Sequence, residues 1–221
     1  MKNAFTLAEV LITLGIIGVV AAITIPNLIA NYQKHVTVTK LQKAISILNQ
    51  AYKMSYDEVG EPTVSEAFAM GSNEYFKKYW APYIKTAIIC TTYAQCRYKT
   101  NTPWKNQNGK GDKTGLIWEG NRTSFYTSDG FLYVIFTGGG DVLHEVGIVY
   151  VDINGASEPN IFGKDLFVLA RVEKDGGGVQ PYGYDLATKY IDNDCKKGGG
   201  GAYCAEKIRR AGWKIEKGYP W

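Results

Sequence analysis

The sequence predicts an α+β chain: one long amino-terminal helix, apolar in its first half and amphipathic in its second, packed on an antiparallel β-sheet. Three observations carry this reading. The stretch from Phe5 to Ile25 is almost unbroken in its apolar character, the residues from 27 to 56 repeat apolar side chains at helical spacing, and from Gly115 onward the period switches to that of strands. A chain of 221 residues has room for one membrane helix and a single further domain with its own core.

The first segment, Phe5 to Ile25, would span about 31 Å as a helix, which matches the hydrocarbon core of a bilayer. A secretory signal peptide has a shorter apolar core followed by small residues of the A-x-A type; this run is longer and none follows it. Glu9 is its only charge. A carboxylate costs roughly 2.5–3.5 kcal/mol at the centre of a membrane helix, so Glu9 either lies near enough to the helix end to reach headgroups or pairs with a group from another chain. Gly15, Gly18 and Ala22 either let neighbouring helix backbones approach closely or are incidental small residues in a lipid-facing anchor. Pro26 removes one helical hydrogen bond and crowds the preceding turn, so a kink is expected there.

After Pro26, the residues Leu28, Tyr32, Val36, Leu41, Ile45, Leu48 and Tyr52 recur at helical spacing, with lysines between them. The helix is therefore predicted to reach about Tyr56, and its apolar stripe needs a sheet as cover. His35, among polar residues, reads as solvated. Gly60 and Pro62 end the helix. A second helix is expected over Asn73–Ile89, with Ser72 or Asn73 as cap, Glu74 in its first turn and Pro82 kinking or ending it. The segment from Arg97 to Lys113 carries Arg97, Lys99, Lys105, Lys110 and Lys113 against the single acid Asp112, with Trp104 among them. It reads as a solvated loop, or as a mobile basic loop able to contact DNA backbone.

Short runs rich in β-branched and aromatic residues follow at Leu116–Trp118, Ser124–Tyr126, Phe131–Phe136, Val146–Asp152 and Leu166–Val172, separated by turn residues. They predict an antiparallel sheet of four to five strands. The glycine clusters at 138–140, 176–178 and 198–201 lack the strand-to-helix context of a phosphate loop and read as hairpins and loops. Between the last two runs, the side-chain oxygens of Asp152, Asn154, Asn160 and Asp165 could ligate calcium. They could equally form Asx-turns that hold the connection. Cys90, Cys96, Cys195 and Cys204 form two close pairs, and in an oxidising compartment the simplest of the three connectivities joins each pair locally. Ala205–Ala211 reads as a helical turn ending at Gly212, after which Trp213, Ile215 and Tyr219 to Trp221 are expected to pack the tail on the sheet.

Ala4-Phe5-Thr6-Leu7-Ala8-Glu9-Val10-Leu11, continued by the apolar residues to Ala22 and by Pro26, resembles the prepilin leader and first helix of type IV pilins and type II secretion pseudopilins. The resemblance implies a pilin-like fold in which residues 1–4 are a leader, 5–26 a transmembrane and assembly helix, and 27–221 a domain outside the membrane that opens with the amphipathic half-helix 27–56. It implies cleavage between Ala4 and Phe5, N-methylation of Phe5, and Glu9 as the acid at the fifth mature position. Ala4 stands where the family usually carries Gly, and a small residue fits such a site. The segment Asp152 to Phe167 is similar to the family's β-region, and the Cys195–Cys204 loop to the carboxy-terminal disulfide loop of type IV pilins. A prepilin peptidase, an inner-membrane assembly platform with its ATPase and further copies of the chain are the partners implied. So is a single-pass inner-membrane stage before a periplasmic or cell-surface filament.

The formal charge of +4, from 25 basic and 21 acidic residues, is too small to imply nucleic acid by itself. With two histidines (His35 and His144), no Gly-x-Ser-x-Gly elbow and no convincing metal spacing, no catalytic residues are expected, and calcium is the one cofactor with candidate ligands. The sequence thus predicts a structural filament subunit, with roles in adhesion, motility or DNA uptake. A secretion pseudopilin and a membrane-anchored periplasmic binding protein are the competing readings. Loss of Glu9 separates them, since a binding domain keeps its activity without it.

Overall fold

A computed structural model describes residues 6–85, 88–111, 114–117, 121–137, 145–172 and 177–221. The chain divides into two units, Met1–Val36 and Thr37–Trp221, and helix α1 (Leu7–Val59) runs through both. In the first unit α1 continues through Pro26.

The second unit has the expected α+β layout, with six strands in place of four to five. These are β1 (Ile88–Cys90), β2 (Arg122–Tyr126), β3 (Leu132–Phe136), β4 (Glu145–Asp152), β5 (Leu166–Val172) and β6 (Val179–Pro181), paired antiparallel in sequence order. Helix α2 (Val64–Tyr79) follows α1, and the short helices α3 (Thr188–Asp194) and α4 (Cys204–Arg210) close the chain. β1 and β6 form the two edges of the sheet. Each is three residues long, and β6 ends in Pro181.

Strand alternation sends neighbouring side chains to opposite faces, and here both faces are buried. Tyr133, Ile135, Phe167 and Leu169 meet Leu41, Ala44 and Leu48 of α1 and Phe76 of α2 in one core. Leu132, Val134, Leu166 and Val168 face the other way, into a second core filled by Tyr98, Trp104 and Leu116. The described part of the segment read as a solvated or mobile basic loop, residues 97–111, therefore supplies cover for the second face through Tyr98 and Trp104. Trp104 is fully buried and offers no ring for a base to stack on, while Lys105 pairs with Glu158 at 3.0 Å.

Three expectations are corrected. The second helix starts at Val64, because Thr63 and Glu66 form a reciprocal capping box, with the Thr63 N–H donating to Glu66 Oε2 at 2.8 Å. It is broken at Gly71, whose φ of 77° and ψ of 157° are not helical. Ser72 is not a cap: its hydroxyl is buried and accepts the Thr137 N–H at 3.0 Å, tying α2 to the end of β3. The helix ends at Tyr79, before Pro82, and Ile89 belongs to β1. Within the run expected as Leu116–Trp118, residues 116 and 117 are not a strand. The Asn101 side chain takes the partner strand's place, accepting from Ile117 N at 2.9 Å and donating to Ile117 O at 2.7 Å, while Trp118 lies outside the described residues. The tail packs as expected: Tyr219 is buried and donates to Gly163 O at 2.6 Å, and Trp213, Ile215 and Trp221 lie against the first core.

Candidate functional site

Two regions hold the residues that the sequence singles out, the apolar start of α1 and the corner between β4 and β5. In the first, the helix is long and apolar enough to cross a membrane, and none of its most apolar window is buried within the chain. Leu7 is 77% exposed, and Leu11, Ile12, Ile16 and Ile17 lie open in the same way. Such a surface is stable only when lipid or other protein covers it.

At the head of this helix Thr6 and Glu9 form a second capping box. The Thr6 N–H and hydroxyl each donate to Glu9 Oε2 at 2.8 Å, and the Glu9 N–H returns a bond to Thr6 Oγ1 at 3.3 Å. The T-x-x-E spacing that announces it stands in the sequence as Thr6-Leu7-Ala8-Glu9. Gly15 and Gly18 face open space: beyond the helix's own backbone, a Cβ at either would meet no described atom within 4 Å. Glycine inside a helix costs about 1 kcal/mol relative to alanine, and no contact with another described residue repays it. Ala4 and Phe5, the expected cleavage positions, lie outside the described residues, as does His144.

In the second region the fold brings all four calcium candidates together. Asp165 accepts from Asn160 N at 2.8 Å, from Ile161 N at 2.7 Å and from Asn154 Nδ2 at 3.1 Å. Asp152, fully buried, accepts the Tyr98 hydroxyl at 2.7 Å and the Asn154 N–H at 3.3 Å. In the orientation that satisfies both its ends, the Asn160 amide donates to Asp152 Oδ2 at 3.1 Å and to Ser157 O at 3.0 Å. Burial, and then the charge of Asp165, push the Asp152 carboxyl well above the usual carboxylate range, and burial raises Asp165 too. Burial and the Asp152 charge raise the Tyr98 hydroxyl in turn.

A calcium cage needs six to eight oxygens turned toward the ion. Here the carboxylate oxygens are turned toward N–H and O–H donors, and among the described residues no group of three or more His, Cys, Asp or Glu side chains could hold a metal. The geometry supports the Asx-turn reading, in which the two acids fasten the corner to itself and to Tyr98. Thermal unfolding in excess chelator is expected to give the same Tm as in millimolar calcium. A fall of several degrees on chelation would establish the cage.

Cys90 is joined to Cys96 and Cys195 to Cys204. Beside the second bridge, Glu206 is fully buried and paired with Arg209 at 2.7 Å and Arg210 at 2.6 Å, and Arg210 reaches Leu186 O at 2.7 Å. These contacts fix α4 against the segment before α3. A further buried charge had no signal in the sequence. Arg171 of β5, 3% exposed, pairs with Glu61 and donates to the Tyr75 hydroxyl at 3.1 Å. It stands in an otherwise apolar strand, far in sequence from both partners.

No curated protein and no solved structure matches the chain. One family model does match, over residues 27–221, beginning at the residue after Pro26 and covering the whole of the second unit. On that match the chain belongs to DUF6613, a family of unknown function.

Proposed function

We propose that this chain is the structural subunit of a type IV pilus-like filament, trimmed by a prepilin peptidase before Phe5 and polymerised through its amino-terminal helix. One observation carries the reading. A membrane-length helix surface with a single acid near its start and two glycines without a purpose inside the chain is left wholly uncovered. Copies of the same helix, packed side by side, would cover it and would use the glycines as points of close approach.

In the trimmed chain the new Phe5 amino group is an ammonium. The Glu9 carboxylate, which in the single chain accepts from Thr6, would turn to the ammonium of a neighbouring copy. At about 4 Å and an effective dielectric near 20, the attraction is about 4 kcal/mol before desolvation is subtracted. Its main effect is to fix the axial register between helices. The disulfide-closed Cys195–Cys204 segment gives the domain a stapled loop suited to display on a filament surface, which favours a surface pilus over a secretion pseudopilus.

Intact mass and the yield of fibres sheared from cells test the reading together. The wild-type protein is expected to lack residues 1–4 and to carry one methyl group. Fibre yield is expected to fall at least about tenfold in Glu9→Ala, the effect of losing about 1.4 kcal/mol at each contact. Full-length protein that stays in the membrane and forms no fibre would instead make the chain an anchored binding domain.

A further inference from the structure

A cavity of about 640 Å³ opens where the last turns of α1 meet the segment leading into β6. Its size lies within the range of small-molecule sites. Tyr52 and Tyr56, one helical turn apart with ring centroids 6.0 Å from each other, form one wall. Asp57, Glu61 and Lys53 stand around the rim.

Bare backbone closes one side, packed directly on Tyr52 and Asn49. A Cβ on Gly177 would meet Tyr52 Oη at 2.3 Å and one on Gly178 would meet Asn49 Oδ1 at 2.6 Å, and both positions have positive φ, so glycine suits this close approach. Asn49 fixes the wall in place, accepting from Val179 N at 2.8 Å and donating to Val179 O at 2.9 Å.

A buried charge supports the lining. Arg171, which does not itself line the cavity, is held by Tyr75, stacks 4.9 Å from the centre of the Tyr52 ring and grips Glu61. The other Glu61 oxygen accepts the Tyr52 hydroxyl at 3.3 Å. A buried ion pair is often no more stabilising than an apolar pair of the same volume. What it does here is hold a carboxylate and a phenol in fixed positions at the surface of a cavity.

These features select the ligand. Among the described residues, Lys53 balances Asp57 on the lining and the buried Arg171 balances Glu61, so neither a cation nor an anion is favoured by net charge. An aromatic cage for a quaternary ammonium needs free ring faces, and the Tyr52 ring is already taken by Arg171. Tyr56, 52% exposed, offers a free aromatic surface beside two carboxylates and a backbone wall. An apolar C–H face that stacks on a ring, edged by hydroxyls that donate to carboxylates, is the surface of a pyranose sugar. We propose that this cavity binds a neutral oligosaccharide, with one ring stacked on Tyr56 and vicinal hydroxyls donating to Asp57 and Glu61. The site goes beyond the filament reading and does not require polymerisation.

Saturation-transfer NMR on the full chain in lauryl dimethylamine oxide, a detergent without sugar, tests it with maltose, cellobiose and chitobiose as probes. Transfer to at least one disaccharide is expected, with binding weakened about tenfold in Tyr56→Ala and in Asp57→Asn. Both side chains are exposed, so both variants should keep the wild-type Tm. Three results would each overturn the proposal: transfer to none of the three sugars, transfer unchanged in both variants at unchanged Tm, or a response to tetramethylammonium in place of the sugars.

Discussion

Trp104→Ala is expected to lower the unfolding free energy by about 3–5 kcal/mol, the usual cost of emptying a tryptophan site in a core. The indole is fully buried, with its ring 5.2 Å from that of Tyr150 and 6.0 Å from that of Phe162. The loss is chiefly one of packing against these rings. For a domain of this size such a loss corresponds to roughly 6–20 °C in Tm. Urea unfolding of the full chain measures it, and Trp104→Phe, which refills part of the volume, should recover a good share. A loss below about 1 kcal/mol would mean that the segment carrying Trp104 covers no real core.

Arg171→Ala comes next, at about 3 kcal/mol or somewhat more. Removing one member of a buried ion pair leaves the other desolvated without compensation, typically at 3–5 kcal/mol. The lower end applies because the Glu61 side chain is 21% exposed and can turn toward water. The Tyr75 hydroxyl, buried in the core, also loses a donor. The double variant Arg171→Met, Glu61→Leu should regain most of the stability, since apolar side chains of similar volume fill the same space. If the double variant is as unstable as the single, the pair is worth more than its packing, and the cost lies in the hydrogen bond that Arg171 makes to Tyr75 of α2.

Much of the architecture could be read from the chain, and the parts that could not share a physical cause. α1 and β2 to β5 are periodic, and periodicity is a local signal that survives without tertiary context. β1 and β6 are too short to show a period, and Ile88–Cys90 continued an apolar pattern that suited a helix equally well. The second core is written in isolated residues, Tyr98, Trp104 and Leu116, whose spacing follows no element. Their burial is decided by the sheet face they land on. Asn101 standing in for a strand and Arg171 reaching Glu61 are contacts between distant positions with no local trace. The corner of β4 and β5 lay between: its polar residues were visible, but whether their oxygens faced a cation or N–H donors depended on the backbone around them. Each capping box has a local signature, Thr6-x-x-Glu9 and Thr63-x-x-Glu66, yet the second stands ahead of the helix expected from Asn73, where the apolar spacing drew the start too late.

The edges of the sheet carry a consequence for life at high concentration. A long open edge strand is a template on which another chain can add its own strand, and this is how many sheet proteins aggregate. β1 and β6 expose only three residues each, and the proline that ends β6 has no N–H to offer. Such short edges, one of them ended by proline, give a neighbouring sheet little to pair with, so the domain is a poor template for edge-to-edge strand addition.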